Sequence, residues 1–173
     1  IDTHGSAVGL PDYQFGNSEI GHMTLSAGRK IPQTLTLINE ALSKDPGQTL
    51  TPLTSNLNCL HIMGLLSSGG VHSHINHTVN IVNYLATNFP PLSIYIHAFT
   101  DGRDTSTQAA ITELSLISAL EAQHPHVHFA SLCGRYYAMD RDNNWDRTQQ
   151  CQSMLTVPST TKNQPYKDVL EQY

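Results

Sequence analysis

The sequence predicts an α/β fold, a three-layer αβα arrangement around a mostly parallel sheet. Three apolar runs carry that expectation, at residues 59–66, 92–99 and 127–133. They are short, continuous and bounded by Gly, Pro or polar residues, which is how parallel strands covered on both faces read. The segments between them are helical in period: Val79, Val82, Tyr84 and Leu85 after Ile75, then Ala110, Leu114, Ile117 and Leu120 after Thr107, with Pro125 closing the second. Strand and helix therefore alternate, which implies right-handed crossovers and one parallel sheet. A further helix is expected over 146–155, before Pro158 and a Ser/Thr-rich turn. Upstream, residues 18–27 read as a helix entered through a Gly-Asn turn, residues 33–42 as a second helix, and Asp45-Pro46-Gly47 as a turn. There is no internal repeat and no low-complexity tract.

A chain of 173 residues accommodates one domain, or one domain and a piece of another. Only 13% of residues are charged and the net charge is −5, which argues against a disordered chain and against a general nucleic-acid or membrane-surface binder. The nine basic residues are uneven, and Arg103, Arg135, Arg141 and Arg147 all fall in the motif-rich half. An anion site can therefore exist on an acidic protein. Cys59, Cys133 and Cys151 form no CxxC pair, and their odd number fits reduced, intracellular thiols. No apolar stretch approaches the roughly 20 residues of a membrane span. The chain opens at Ile1 without an initiator Met and is expected to be a fragment.

Four polar clusters stand out: Gly16-Asn17-Ser18-Glu19-Ile20-Gly21-His22, Gly69-Gly70-Val71-His72-Ser73-His74, Asp101-Gly102-Arg103-Asp104, and the run from Gly134-Arg135 to Asp140-Arg141-Asp142. The last three each follow an expected strand, and ligands of open parallel sheets bind outside the carboxyl ends of the strands. Adjacent loops would therefore collect His72, Arg103, Asp104, Arg135 and Arg141. Gly69 and Gly70 are expected to let backbone N–H groups approach an anion at a helix N-terminus. The planar fork of Arg suits phosphate or carboxylate oxygens. Asp104 reads either as a proton acceptor from a hydroxyl or as a structural holder of a guanidinium. Together the clusters point to a small phosphorylated anion.

His72, His74 and His77 have an H-x-H-x-x-H spacing, yet no carboxylate or Cys completes a zinc shell, so a metal is not expected there. His124, His126 and His128 read as a loop and a strand start. Ser18 reads in two ways, as a helix N-cap or as a nucleophile at a helix N-terminus, where the dipole favours an alkoxide or phosphoester. Nothing in positions 1–17 clearly activates it.

Residues 8–12 with Gly16 to His22 and Ala27-Gly28-Arg29, then 65–74, Asp101-Gly102-Arg103-Asp104 and the 134–142 run, taken in this order, resemble the cofactor-independent phosphoglycerate mutase family of the alkaline phosphatase superfamily. The resemblance runs from about residue 7 to about residue 147. It implies interconversion of 3-phosphoglycerate and 2-phosphoglycerate in glycolysis through a phosphoserine on Ser18. It also implies substrate contacts from His72, Arg103, Asp104, Arg135 and Arg141, with Asp104 as acid–base group for the glycerate hydroxyls. Two divalent ions, usually manganese, are implied, one of them bound by Ser18. The implied fold places residues 1–32 in a phosphatase-like metal domain and 33–173 in a substrate-binding transferase domain inserted into it. A cytoplasmic monomer is expected, with phosphoglycerate as its partner and neither nucleic acid nor membrane.

The chain also departs from the family pattern. Family members are much longer, and their downstream Asp and His metal ligands, a Lys and a further Arg pair have no counterpart here. The N-terminal Asp ligand is missing, Tyr13 and Ser68 replace a usual Gly and Asp, and the stretches near 45–58 and 157–164 are shorter. The alternatives are a truncated, catalytically incomplete phosphoglycerate-binding module, or another metal-dependent phosphatase or phosphomutase of the superfamily. As it stands, the chain is expected to hold substrate without turning it over.

Overall fold

The computed structural model describes residues 2–157. The expected turn at Pro158 and the shortened stretch beyond Val157 lie outside the described residues. The chain divides into two compact units, Ile1–Leu53 and Thr54–Tyr173.

The first unit opens with a 3-10 turn at Gly5–Val8, followed by α1 (Ser18–Ala27), α2 (Thr34–Lys44) and α3 (Pro46–Thr54), which ends at the unit boundary. Gly9 ties α2 to the N-terminal segment: its carbonyl accepts bonds from Gln33 N and from Thr36 Oγ1, each at 3.0 Å. A Cβ at Gly9 would lie 2.2 Å from the Ile31 carbonyl oxygen, and φ there is +88°, so only glycine fits. The expected turn at residues 45–47 is corrected to Asp45 alone. The Asp45 amide closes α2 on Ala41 O at 3.2 Å, and its Oδ1 accepts from Gln48 N at 3.2 Å. Pro46 then occupies the first helical position, where its missing N–H costs nothing.

The second unit is built on three parallel strands in the order β1 (Cys59–Leu66), β2 (Ser93–Thr100), β3 (Val127–Gly134). Each crossover is a helix: α4 (Ile75–Asn88) and α5 (Ala109–Gln123). A short α6 (Arg135–Ala138) and α7 (Trp145–Thr156) follow β3. Ile94, Ile96 and Ala98 on β2 are buried, as are Val82 and Leu85 of α4 and Leu114 and Ile117 of α5. The parallel strands form where expected, but the expected cover on both faces is corrected: helices α4 and α5 bury one side, and burial along β2 alternates.

The other face is less covered. Cys133, level with Phe99, meets the buried Cys151 of α7 at the end of β3. Along the rest of that face a half-exposed ring ladder runs through His61, Tyr95, His97 and His128. His61 Nδ1 lies 2.8 Å from His97 Nε2, and His97 Nδ1 lies 2.7 Å from Ser131 Oγ. His124 and His126 reach back to α4, at Asn83 and the Ala86 carbonyl.

Ile96→Ala, at the centre of the sheet, is expected to cost about 2–5 kcal/mol. Urea unfolding measures it, and an unchanged midpoint would show that β2 is not the core strand. The cysteines give a second check. Burial, then Cys151 beside it, pushes the Cys133 thiol up to about 12, whereas Cys59 is exposed. Iodoacetamide at about pH 8 should therefore label Cys59 and spare Cys133, as read by peptide mass mapping.

Candidate functional site

The three strands end level with one another. Leu66 pairs with Thr100, and Thr100 with Gly134. The next residue on each strand is Ser67, Asp101 and Arg135, so a hydroxyl, a carboxylate and a guanidinium leave the sheet in one row. They bond accordingly. Ser67 Oγ donates to Asp101 Oδ2 at 2.6 Å, and Arg135 Nη1 donates to Asp101 Oδ1 at 2.7 Å. Arg135 Nη1 also donates to Asp104 Oδ2 at 2.6 Å, and His72 Nε2 stands 3.6 Å from that same oxygen.

The Asp101 side chain is fully covered. Burial by itself disfavours its charge, but the Ser67 hydroxyl, the Asp104 amide, the Arg135 guanidinium and the Arg103 amide together outweigh it and hold the carboxyl at about 2. Arg135 is shifted the other way: the bond to Asp104 leads in raising it, against some loss from burial, with Asp101 adding to the rise. The central carboxylate and its guanidinium are thus a fixed ion pair at neutral pH.

A cleft of about 320 Å³ opens beside this row, and His72, Arg103, Arg135 and Arg141 line it together with Tyr136 and Arg147. That volume is at the small end of ligand sites. Four of the five residues expected to converge do line one cleft, and the fifth, Asp104, bonds Arg135 in its wall. The guanidiniums divide into two kinds. Arg135 is paired with carboxylates, and Arg147 lies 3.4 Å from Asp140 and stacks on the Tyr136 ring at 3.9 Å. Arg103 and Arg141 are exposed and make no ion pair among the described residues.

The glycine loop does not work as expected. The Gly69 amide donates to Ser67 Oγ at 3.1 Å and the Ser68 amide to Glu113 Oε1 at 2.8 Å, so neither is left for an anion. Gly69 instead lets the loop sit on its neighbour, since a Cβ there would be 3.2 Å from the Asp104 carbonyl oxygen. His74 caps α4 through a bond from Asn76 N at 3.1 Å, and His77 is buried on α4. Only His72 of that histidine trio reaches the cleft.

Ser18 belongs to the other unit. It is the first residue of α1, and the cap is Asn17, whose Oδ1 accepts from Ile20 N at 3.0 Å. Ser18 is thereby exposed at a helix N-terminus and lines a hollow of about 510 Å³ with Gly16 and Asn17. Among the described residues no three His, Cys, Asp or Glu side chains gather to hold a metal. Ser18 shares its hollow with a single carboxylate, Asp2, too few ligands for the implied pair of ions, so the described residues do not fit them.

Sequence reasoning missed three residues: Asp101, Ser67 and Glu113. Asp101 and Ser67 stood inside quoted clusters, but their importance comes from the strand register. Glu113 is buried on α5 and holds the Ser68 amide through one oxygen. Its place in the apolar stretch of α5 is the only signal the sequence offers.

Fold and cleft together define a parallel α/β domain with an arginine-rich cleft at the carboxyl ends of its strands. The model of the BPG-independent phosphoglycerate mutase N-terminus matches residues 40–173, and the chain belongs to that family. The 2,3-bisphosphoglycerate-independent phosphoglycerate mutase of Parasynechococcus marenigrum is 42% identical over 183 residues, covering 100% of this chain and 33% of its own. That of Yersinia pestis is 45% identical over 163 residues, covering 90% of this chain and 32% of its own. The chain thus spans about a third of the length of these relatives. The crystal structure of Leishmania mexicana phosphoglycerate mutase at low cobalt concentration superposes with a TM-score of 0.70 at 30% identity, covering 88% of this chain and 30% of that one.

The Asp101 carboxyl sets an acid limit. Its folded value of about 2 lies below the ordinary 3.8, so its contribution is complete above the ordinary value and is lost as pH falls through the folded one. Melting temperatures between about pH 5 and 2 should fall more steeply for the native chain than for Asp101→Asn. Equal slopes would remove Asp101 as a source of acid sensitivity.

Proposed function

We propose that the cleft binds phosphoglycerate and that the chain is the substrate-holding part of a phosphoglycerate mutase that interconverts 3-phosphoglycerate and 2-phosphoglycerate. What supports this most is the pairing pattern of the arginines. Arg103 and Arg141 line a small cleft and make no ion pair among the described residues, while Arg135 is held in place by carboxylates behind it. Such a site favours a compact ligand with two anionic ends, a phosphate and a carboxylate. In this reading His72, Arg103, Arg135 and Arg141 contact the ligand. Asp104 takes and returns the proton of a glycerate hydroxyl.

Ser18 is the proposed phosphoryl acceptor. Its Oγ would displace the glycerate oxygen at phosphorus, and the reoriented glycerate would take the group back on its other hydroxyl. An exposed serine at the N-terminus of a ten-residue helix suits a phosphoester, because the helix dipole favours negative charge there. Residues 1–32 would belong to a phosphatase-like metal domain and 33–173 to the transferase domain, completing the three-layer arrangement in a longer, cytoplasmic, monomeric protein. Two divalent ions, Mn²⁺ by resemblance, would belong to that longer protein.

A binding module without turnover is the second reading. Among the described residues no three His, Cys, Asp or Glu side chains gather as metal ligands, which favours it. Calorimetric titration of this chain with 3-phosphoglycerate tests what both share. Binding should be seen, and Arg135→Ala should weaken it by about 2–3 kcal/mol, the scale of a lost charge-assisted contact. Unchanged affinity in that variant would remove Arg135 from the site. A coupled mutase assay then separates the two readings: turnover by this chain that vanishes in Ser18→Ala supports the first, and binding without turnover supports the second.

A further inference from the structure

We propose that Asp101 is the positioning residue of this cleft, the group through which Arg135 and the turn carrying Arg103 and Asp104 are held in their binding geometry. The proposal rests on the phosphoglycerate reading for its ligand, but its structural basis is independent of that ligand. The Asp101 side chain has no exposed surface, so it acts through its neighbours. It follows the central strand, with Ser67 level on one side and Arg135 level on the other.

Its two oxygens accept from donors on three loops. Oδ2 takes the Ser67 hydroxyl at 2.6 Å; Oδ1 takes Arg135 Nη1 at 2.7 Å and the amides of Arg103 and Asp104, each at 3.0 Å. The last two bonds close the tight turn whose Gly102 has φ +83°. That turn presents the Arg103 guanidinium to the cleft and the Asp104 carboxylate to Arg135 and His72. Among the described residues Arg135 is gripped through Nη1 alone, by Asp101 on one side and Asp104 on the other, and its Nη2 and Nε make no hydrogen bond there. A guanidinium fixed in this way loses less side-chain freedom when it binds an anion.

Simple electrostatics and positioning predict opposite results, which makes the proposal sharp. Asp101 is a negative charge beside an anion site. If it acted only as a charge, Asp101→Asn would bind an anion more tightly. If it positions Arg135, the same change weakens binding, because the charge-assisted bond that holds the guanidinium is lost.

The test is titration of the whole chain with 3-phosphoglycerate, together with nitrogen-15 spectra of the Arg135 Nε–H without ligand. Asp101→Asn should bind roughly tenfold more weakly. The Asp101→Asn, Arg135→Ala double variant should lose less affinity than the sum of the two single losses, since part of the Asp101 effect runs through the Arg135 side chain. A general loss of fold would instead add to the Arg135 effect. Without ligand, the Arg135 Nε–H resonance should shift in Asp101→Asn. Equal or tighter binding, additive losses, or an unmoved resonance would each overturn the proposal. If Asp101→Asn does not fold, Ser67→Ala removes one donor from the same carboxylate and should move the same resonance; if that resonance does not move, the proposal is again overturned. If the native chain does not bind 3-phosphoglycerate, the substrate reading falls and the resonance alone decides the role of Asp101.

Discussion

A buried carboxylate at the end of the central strand organises the candidate site. Burying an ionised group is costly unless it is paired and hydrogen-bonded. Asp101 meets that condition with four donors, and each donor comes from a segment that the site needs in place. Loops at the end of a parallel sheet have little apolar surface with which to anchor themselves. Here the charge does what packing does elsewhere in the unit. The close seat of Gly69 on the Asp104 backbone adds to it, drawing the loop that carries His72 against the turn that carries Arg103.

The same carboxylate sorts the arginines that an acidic chain gathers in one cleft. Net charge describes the whole surface, whereas a ligand feels the groups within a few ångströms of it. In this cleft Arg135 and Arg147 are spoken for by Asp101, Asp104 and Asp140, which fixes their geometry and reduces their net pull. Arg103 and Arg141 keep their full charge. In the proposed reading one pair of arginines gives shape and the other gives attraction.

Much of the second unit was legible in the sequence because its strands are continuous apolar runs, a pattern that survives without knowledge of partners. The edges moved by a residue at 92–93 and 133–134 because strand ends are set by ladder bonds that apolarity does not mark. Helix α3 was not legible: it begins Pro46-Gly47, which read as turn residues, and it contains Pro52, a poor helix former. Convergence of the arginine loops followed from the parallel topology. The roles of Ser67, Asp101 and Glu113 did not follow, because they depend on which residues stand level across strands and which side chains are buried. The glycine loop misled for a related reason: close backbone approach was correctly inferred, but the approaching group is another loop of the protein.

Register is where these points meet. Between β2 and β3 the pairing shifts by one residue, from Ile96 opposite Phe129 to His97 opposite Ser131, so Ala130 has no partner. Carrying the first pairing forward without that extra residue would set Gly134, not Arg135, beside Asp101. It would also turn the side chains of the later part of β3 to opposite faces. The bulge therefore does two things: it delivers the guanidinium to the row that contains the carboxylate, and it places Cys133 on the face that receives α7. A small exposed residue at position 130 suits this role, because a bulged residue has no cross-strand neighbour to pack against. Four residues before the Gly134-Arg135 motif, the irregularity in the sheet sets the geometry on which the candidate site depends.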